Sequence, residues 1–186
     1  MGAAHPFTLE KLVVGVLSSR PARLTEARSR LEGRFGPVDF ASPEVPFGFT
    51  RYYDAEMGPG IVRLFWTFER LVDPTDFASI KLATNDIEDT LREDGRRKVN
   101  LDPGLLSLGR FMLATTKENA HRVPIGKGIF AEVTLVFERA GFRPLEWTYP
   151  DYRSAAYLAI LNGIRSRHQA ELGRRAAGSA GPCLPG

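Results

Sequence analysis

A run of ionisable side chains lies between two apolar segments in LATTKENAHRVPIGKGIFAEVTL, from Leu113 to Leu135. His121 has an ordinary pKa near neutrality, so it could act as a general acid or base. Lys117, Arg122 and Lys127 could bind an anion such as a phosphate group. This stretch therefore predicts chemistry on an anionic ligand, by hydrolysis or transfer at a phosphoryl or acyl centre.

A carboxylate occupies the middle of the second apolar segment, Ile129 to Phe137, which alternates like a strand. Glu132 would be costly to bury there unless it met a cation, a metal or a proton. If the flanking strands pair, Lys117, His121 and Arg122 are the nearest partners. The predicted catalytic residues are His121, Glu132 and Lys117, and the simpler alternative is a structural salt bridge from Glu132 to an arginine.

Lysine is scarce in this chain, which has 25 Lys and Arg residues but only five lysines. A lysine in so arginine-rich a sequence indicates a position that needs a compact, rotatable ammonium, and chance placement is the alternative. Lys81 lies beside Asn85 at helical spacing, next to an apolar stripe. Both are therefore predicted to bind the ligand, together with Arg122 and Lys127.

Three further segments combine acidic, amide and aromatic side chains: TRYYDAEMGPG, VNLDPG and WTYPDYRS. In the second, Asn100 and Asp102 share one strand face before a predicted Pro-Gly turn, where they could hold a hard cation or brace the turn. The others either build rigid corners or line a pocket. On the pocket interpretation, the predicted ligand-binding residues here are Asn100, Asp102, Tyr53, Asp54, Tyr149 and Asp151. A divalent cation on Asp102 and Glu132 is the one cofactor considered, and no metal site is assigned.

The elements that must position these residues follow the order β-α-β-β-α-β-β-β-α. Strands are predicted at 11–18, 61–68, 98–101, 111–116 and 129–137, with short irregular strands or an extended loop at 38–49 and a further short strand at 143–147, beyond the stated order. Helices are predicted at 21–35, from Asp73 to Leu91, and at 154–172. Consecutive strands favour antiparallel pairing, so the fold class is α+β, with a ferredoxin-like βαββαβ core plus a hairpin and a C-terminal helix. Another mixed sandwich is the alternative.

Composition limits the possible classes of protein. With 43% hydrophobic and 25% charged residues, the chain suits one globular domain over 1–172, followed by a Gly- and Ala-rich tail over 173–186 that we expect to be disordered. No apolar run could span a membrane. The formal charge of +3 is too small to favour nucleic acid, and the single cysteine, Cys183, favours the cytoplasm. Neither a P-loop nor a GxGxxG, HExxH or GxSxG motif is present.

The six segments FTRYYDAEMGPG, IKLATNDIE, VNLDPG, LATTKENAHRV, GKGIFAEVTL and WTYPDYRS together resemble the bacterial and archaeal DUF4416 family, a domain of unknown function. The resemblance covers residues 11–169, and Pro124 departs from it, since relatives tend to have a larger residue there. It implies no activity. It does imply that twelve positions are family hallmarks: Asp54, Glu56, Lys81, Asn85, Asn100, Asp102, Lys117, His121, Arg122, Glu132, Tyr149 and Asp151.

The function predicted from these residues is binding of an anionic, phosphate- or nucleotide-like small molecule in a polar pocket, with hydrolase or transferase activity as the catalytic form. Two alternatives stay open. One is a non-catalytic module that binds RNA or a protein, and the other is a structural protein whose polar motifs brace its loops. The sequence leaves both the enzymatic activity and the oligomeric state undecided.

Overall fold

The protein is described by a computed structural model over residues 2–139 and 141–179, which contain nine strands and four helices. The strands are β1 (Glu10–Ser18), β2 (Val38–Ala41), β3 (Val45–Pro46), β4 (Val62–Val72), β5 (Asn100–Leu106), β6 (Arg110–Thr115), β7 (Val123–Gly126), β8 (Ile129–Glu138) and β9 (Gly141–Pro144). The helices are α1 (Pro21–Phe35), α2 (Asp54–Met57), α3 (Phe77–Thr90) and α4 (Ala155–Ser179).

The nine strands form one antiparallel sheet, which confirms the α+β class. The sheet order is β2-β4-β1-β5-β6-β8-β7, with β3 paired to β4 and β9 paired to β8. Since β4 is antiparallel to both β1 and β2, and β1 is antiparallel to both β4 and β5, two split βαβ units interlock. That arrangement is the ferredoxin-like βαββαβ core predicted from the sequence, and β6 to β9 extend the sheet beyond it.

Helices cover both faces of the sheet and create two cores. Leu12, Val14 and Val16 of β1 face α1 and α3, while Val13 faces α4 with Tyr157. All nine residues of β1 are buried, because it lies between β4 and β5 and has helices above and below it. The strand therefore reads as a continuous apolar run rather than as an alternating one.

Local signals explain where the two core helices begin and end. The predicted stripe of α1 is buried as far as Phe35, and Gly36, with φ +93°, then turns the chain out of the helix. Asp73 accepts a 2.8 Å hydrogen bond from the Thr75 backbone nitrogen and so caps the 3₁₀ turn that leads into α3. These bonds fix the orientation of α3, which provides one wall of the site.

Two strand predictions are wrong. Pro103 and Gly104 lie inside β5, paired with β1, and form no turn after Asp102. The loop that contains His121 includes a further short strand, β7, which the sequence did not indicate. In addition, β9 ends at Pro144, before the predicted limit at residue 147.

The last helix is longer than composition predicts. It continues to Ser179, past the predicted domain boundary at residue 172. Glu171 pairs with Lys11 of β1, which links the helix to the sheet, and with Arg175 one turn further along the same helix. The rest of the predicted tail, residues 180–186 with Cys183, lies outside the described residues. No helix in the described ranges is both long and apolar enough to cross a bilayer.

Candidate functional site

The sheet is split between β5 and β6. The two strands pair only from Gly104 to Leu106, so the first half of β5 has no strand on that side. Side chains of α3 take the place of that strand at Leu101: Glu88 Oε1 accepts its N–H at 2.6 Å, and Lys81 Nζ donates to its carbonyl at 3.1 Å. The sequence has a proline, Pro103, two residues later on the same edge, where no ladder donor is needed.

A cleft of about 550 Å³ opens at this split, and we call it the split-strand cleft. β5 forms one wall, the end of β6 forms the other, and α3 and the segment after β9 complete it. Ten of the residues predicted from the sequence line it: Tyr53, Lys81, Asn85, Asn100, Asp102, Lys117, Arg122, Glu132, Tyr149 and Asp151. Distant sequence segments therefore meet in one concavity.

Three predicted site residues do not line the cleft. Lys127 lies in the tight turn between β7 and β8, where its ammonium donates to Ser79 Oγ at 2.7 Å. Asp54 is exposed at the start of α2. His121 lies behind the wall and reaches the cleft only through Glu132. The structure thus separates these three from the other predicted residues.

Glu132 is the buried acidic group on the β8 side of the cleft. Its side chain is 2% exposed, and Oε2 accepts from His121 Nε2 at 3.0 Å and from Arg122 Nε at 2.9 Å. The His121 ring stacks on Trp147, while Arg122 also donates to the Tyr149 hydroxyl at 2.7 Å. His121 and Arg122 both bind Oε2, and the buried Oε1 has no hydrogen-bond partner in the described residues.

Arg63 is the buried basic group on the other side. It donates to Asp102 at 2.9 Å and reaches Asp151 at 3.4 Å, which joins β4, β5 and the segment after β9. Burial alone would raise the pKa of Asp102, but Arg63 and then Lys81 hold that pKa below its usual value. A Cβ on Gly15 would lie 2.8 Å from the Arg63 guanidinium, so the glycine provides the space for it.

Glu88 is the one cleft carboxyl whose pKa lies near neutrality. Burial raises its pKa to about 7, although Lys81 and the Leu101 N–H both favour the charged form. The Glu88 carboxyl therefore exchanges a proton near physiological pH. Its Oε2 lies 3.9 Å from Arg97 Nη1. It stands on the cleft side of α3 and extends the row begun by Lys81 and Asn85.

The cleft contains five cations and four acids, and two of the cations lack an acidic partner. Arg63, Arg97 and Arg122 each form salt bridges. Lys81 and Lys117 form none in the described part of the chain: Lys81 binds only a backbone carbonyl, and Lys117 Nζ lies 5.6 Å from the Tyr52 ring centre. The two cleft cations without a salt bridge are thus both lysines, although Lys81 lies near enough to Glu88 and Asp102 to favour the charged form of each.

The two carboxylates that could hold a divalent cation both have other partners. Asp102 and Glu132, the proposed ligands, are each paired with an arginine. Among residues 2–139 and 141–179, no three His, Cys, Asp or Glu side chains converge as metal ligands would.

Sequence reasoning missed several cleft residues. Arg63 and Arg97 were not singled out, although Arg63 interrupts an apolar strand in the way Glu132 does. Glu88, which follows Asn85 at helical spacing, was not predicted as a site residue either. The aromatic lining is also wider than predicted, since it includes Phe47, Phe49, Tyr52 and Tyr152.

Comparison with known proteins gives one match. A family model described as "Domain of unknown function (DUF4416)" covers residues 8–168, which include every residue of the split-strand cleft. No curated protein matches the chain. No solved structure matches it either.

Proposed function

The chain belongs to the DUF4416 family, whose description assigns no activity, and we propose that it binds an anionic small molecule of the phosphate or nucleotide class in the split-strand cleft. The observation that carries this proposal is the pair of cleft lysines that form no salt bridge in the described residues. Lys81 extends from α3 and Lys117 from the end of β6, so ammonium groups flank the cleft on two sides. An anion between them would be held by charge-assisted hydrogen bonds.

The remaining charges support a binding role. The three arginines are already neutralised by carboxylates, so they hold the walls in place and leave the ligand to the lysines. Glu88 with a pKa of about 7 is only partly ionised at neutral pH, which keeps the electrostatic balance of the cleft positive. An anion entering the cleft would also favour protonation of Glu88.

Catalysis by hydrolysis or transfer is a separate hypothesis. Two of its three predicted catalytic residues line the cleft, and the third does not. Lys117 and Glu132 line the cleft and could touch a ligand. His121 stands behind Glu132, with Nε2 committed to that carboxylate, so we expect it to position Glu132 rather than to meet the ligand. Replacing His121 would then disturb binding only through Glu132.

The proposal is tested with Lys117→Met and its matched control, Lys127→Met. Lys117 is exposed, so its loss should leave the fold intact while it removes one of the two free ammonium groups. We expect the wild-type protein to be stabilised in thermal-shift experiments by at least one of phosphate, pyrophosphate, sugar phosphates or nucleotides. Lys117→Met should weaken that binding about tenfold, the worth of one good charged contact, and Lys127→Met should not.

Two results would contradict the proposal. In the first, no phosphate-containing compound changes the melting temperature at millimolar concentration. In the second, the two lysine variants lose affinity equally, which would show that general surface charge and not the cleft attracts the anion.

A further inference from the structure

The size of the cleft exceeds what an inorganic anion needs. A volume of about 550 Å³ falls within the range of pockets that enclose whole cofactor-sized molecules. Lys81 and Lys117 account for only one part of its lining. The rest of the surface must therefore contact another part of the ligand.

Exposed tyrosines form the mouth of the cleft. Tyr52 is 64% exposed and Tyr149 is 43% exposed, so neither ring is needed for the core. Each is paired with a cation, since Lys117 Nζ lies 5.6 Å from the Tyr52 ring centre and the Arg122 guanidinium lies 5.9 Å from that of Tyr149. Solvent-exposed rings at the edge of a cavity are suited to stacking on a planar ring of the ligand.

Glu132, which lines the cleft, contains a buried acceptor. Oε1 of Glu132 has no hydrogen-bond partner in the described residues, because His121 and Arg122 both bind Oε2. Leaving such an acceptor unpaired costs about 1–3 kcal/mol. An N–H group on the ligand would satisfy it, and an anion alone could not.

We infer that the ligand is a nucleotide: its base stacks on Tyr52 and Tyr149, an N–H of the base donates to Glu132 Oε1, and its phosphate lies between Lys81 and Lys117. This inference rests on the proposed function and narrows it. A planar ring, an N–H donor and a phosphate are the three features that the cleft accommodates, and a nucleoside phosphate combines all of them. A sugar phosphate lacks the first two, and a nucleoside lacks the third.

The test compares binding of four kinds of probe to the full chain by isothermal titration calorimetry. The probes are the nucleoside 5′-monophosphates of the four common bases, ribose 5-phosphate, inorganic phosphate and the free nucleosides. We expect at least one nucleotide to bind about tenfold or more tightly than ribose 5-phosphate, because stacking on an aromatic side chain is worth about 1–3 kcal/mol per base.

Two variants identify the contacts. Tyr52→Ala should weaken nucleotide binding about tenfold more than ribose 5-phosphate binding, while Tyr52→Phe, which retains the ring, should bind like the wild type. Glu132→Gln should likewise reduce the preference for the nucleotide. Retained ribose 5-phosphate binding by each variant shows that the cleft is still folded.

The outcomes separate the two claims. Equal affinity for nucleotides and ribose 5-phosphate would overturn the inference and leave the proposed anion site standing. Nucleoside binding without any phosphate binding would overturn the proposed function as well, and so would the absence of binding by every probe.

Discussion

The buried carboxylate of Glu132 has a cationic partner for its charge, but only one of its two oxygens is hydrogen-bonded. Arg122 offsets its charge and His121 adds a hydrogen bond, so removing Arg122 would leave an ion that is expensive to bury. Both partners meet the same oxygen, however, so the other remains open to a further donor. A salt bridge that served stability alone would gain from using both oxygens.

Glu88 makes the stability of the protein depend on pH. Burial raises its pKa from 4.5 to about 7, so the folded state holds this proton more tightly than the unfolded state does. The contribution of this group to stability is therefore full below pH 4.5 and is lost as the pH rises through about 7. Glu88→Gln should accept the Leu101 N–H without titrating, and so should become more stable relative to the wild type at pH 8 than at pH 5, by up to roughly 3 kcal/mol.

Urea denaturation at both pH values measures this difference. Asp89→Asn is the matched control, because Asp89 is the next residue on the helix and its side chain is 64% exposed. The control should shift stability equally at the two pH values. If Glu88→Gln also gives the same shift at pH 5 and pH 8, Glu88 does not titrate in this range.

Sequence reasoning succeeded at the residue scale where one local pattern was enough. A carboxylate in an apolar strand indicated that Glu132 needs a cation, and Arg122 is that cation. Arg63 gives the same kind of signal, but its partners Asp102 and Asp151 come from two distant segments. No local pattern shows that these segments meet, because their meeting depends on strand order.

At the scale of elements, the split between β5 and β6 depends on two adjacent residues. Pro103 faces the edge of β5 that has no strand partner, and Gly104 begins the paired part. Pro-Gly in sequence typically indicates a turn, which is why the prediction ended β5 too early. Pro103 and Gly104 form no turn here, because β1 pairs with β5 throughout and the proline lies on the edge of β5 that has no strand partner.

Gly104 should tolerate no side chain. A Cβ there would lie 2.4 Å from the Phe111 ring and 2.7 Å from the Met112 carbonyl oxygen, at the seam that joins β5 to β6. We expect Gly104→Ala to destabilise the fold by about 2–3 kcal/mol through overpacking. Chemical denaturation would measure the loss.

Gly33→Ala provides the comparison. Gly33 is exposed in α1, and a Cβ there would meet nothing within 4 Å. The substitution should stabilise the protein by about 0.5–1 kcal/mol, because alanine favours the helix. If both substitutions changed the free energy of unfolding equally, the packing around Gly104 would be less tight than described.

Helix α1 was predicted with the bounds it has, since the apolar period, the proline near its start and the glycine after Phe35 agree. The strand β7 was missed because its residues carry no apolar alternation: Val123 and Pro124 are both exposed. Pairing with β8, and not intrinsic preference, makes this segment a strand.

At the scale of the whole molecule, β1 lies inside the sheet between β4 and β5, and β7 lies at its edge. We therefore expect the amides of β1 to exchange with solvent most slowly, at rates close to those of global unfolding, and those of β7 to exchange through local opening. Hydrogen–deuterium exchange followed by NMR would measure both. Comparable protection of the two strands would argue against the described strand order.

Only three residue pairs join β5 to β6: Gly104 with Leu113, Leu105 with Met112, and Leu106 with Phe111. The sheet therefore consists of two parts joined by a short hinge, and the twist of the sheet at that hinge sets the width of the cleft between them. A ligand that contacts both parts would hold the hinge in one position. Strands far from the ligand would then become more rigid when it binds.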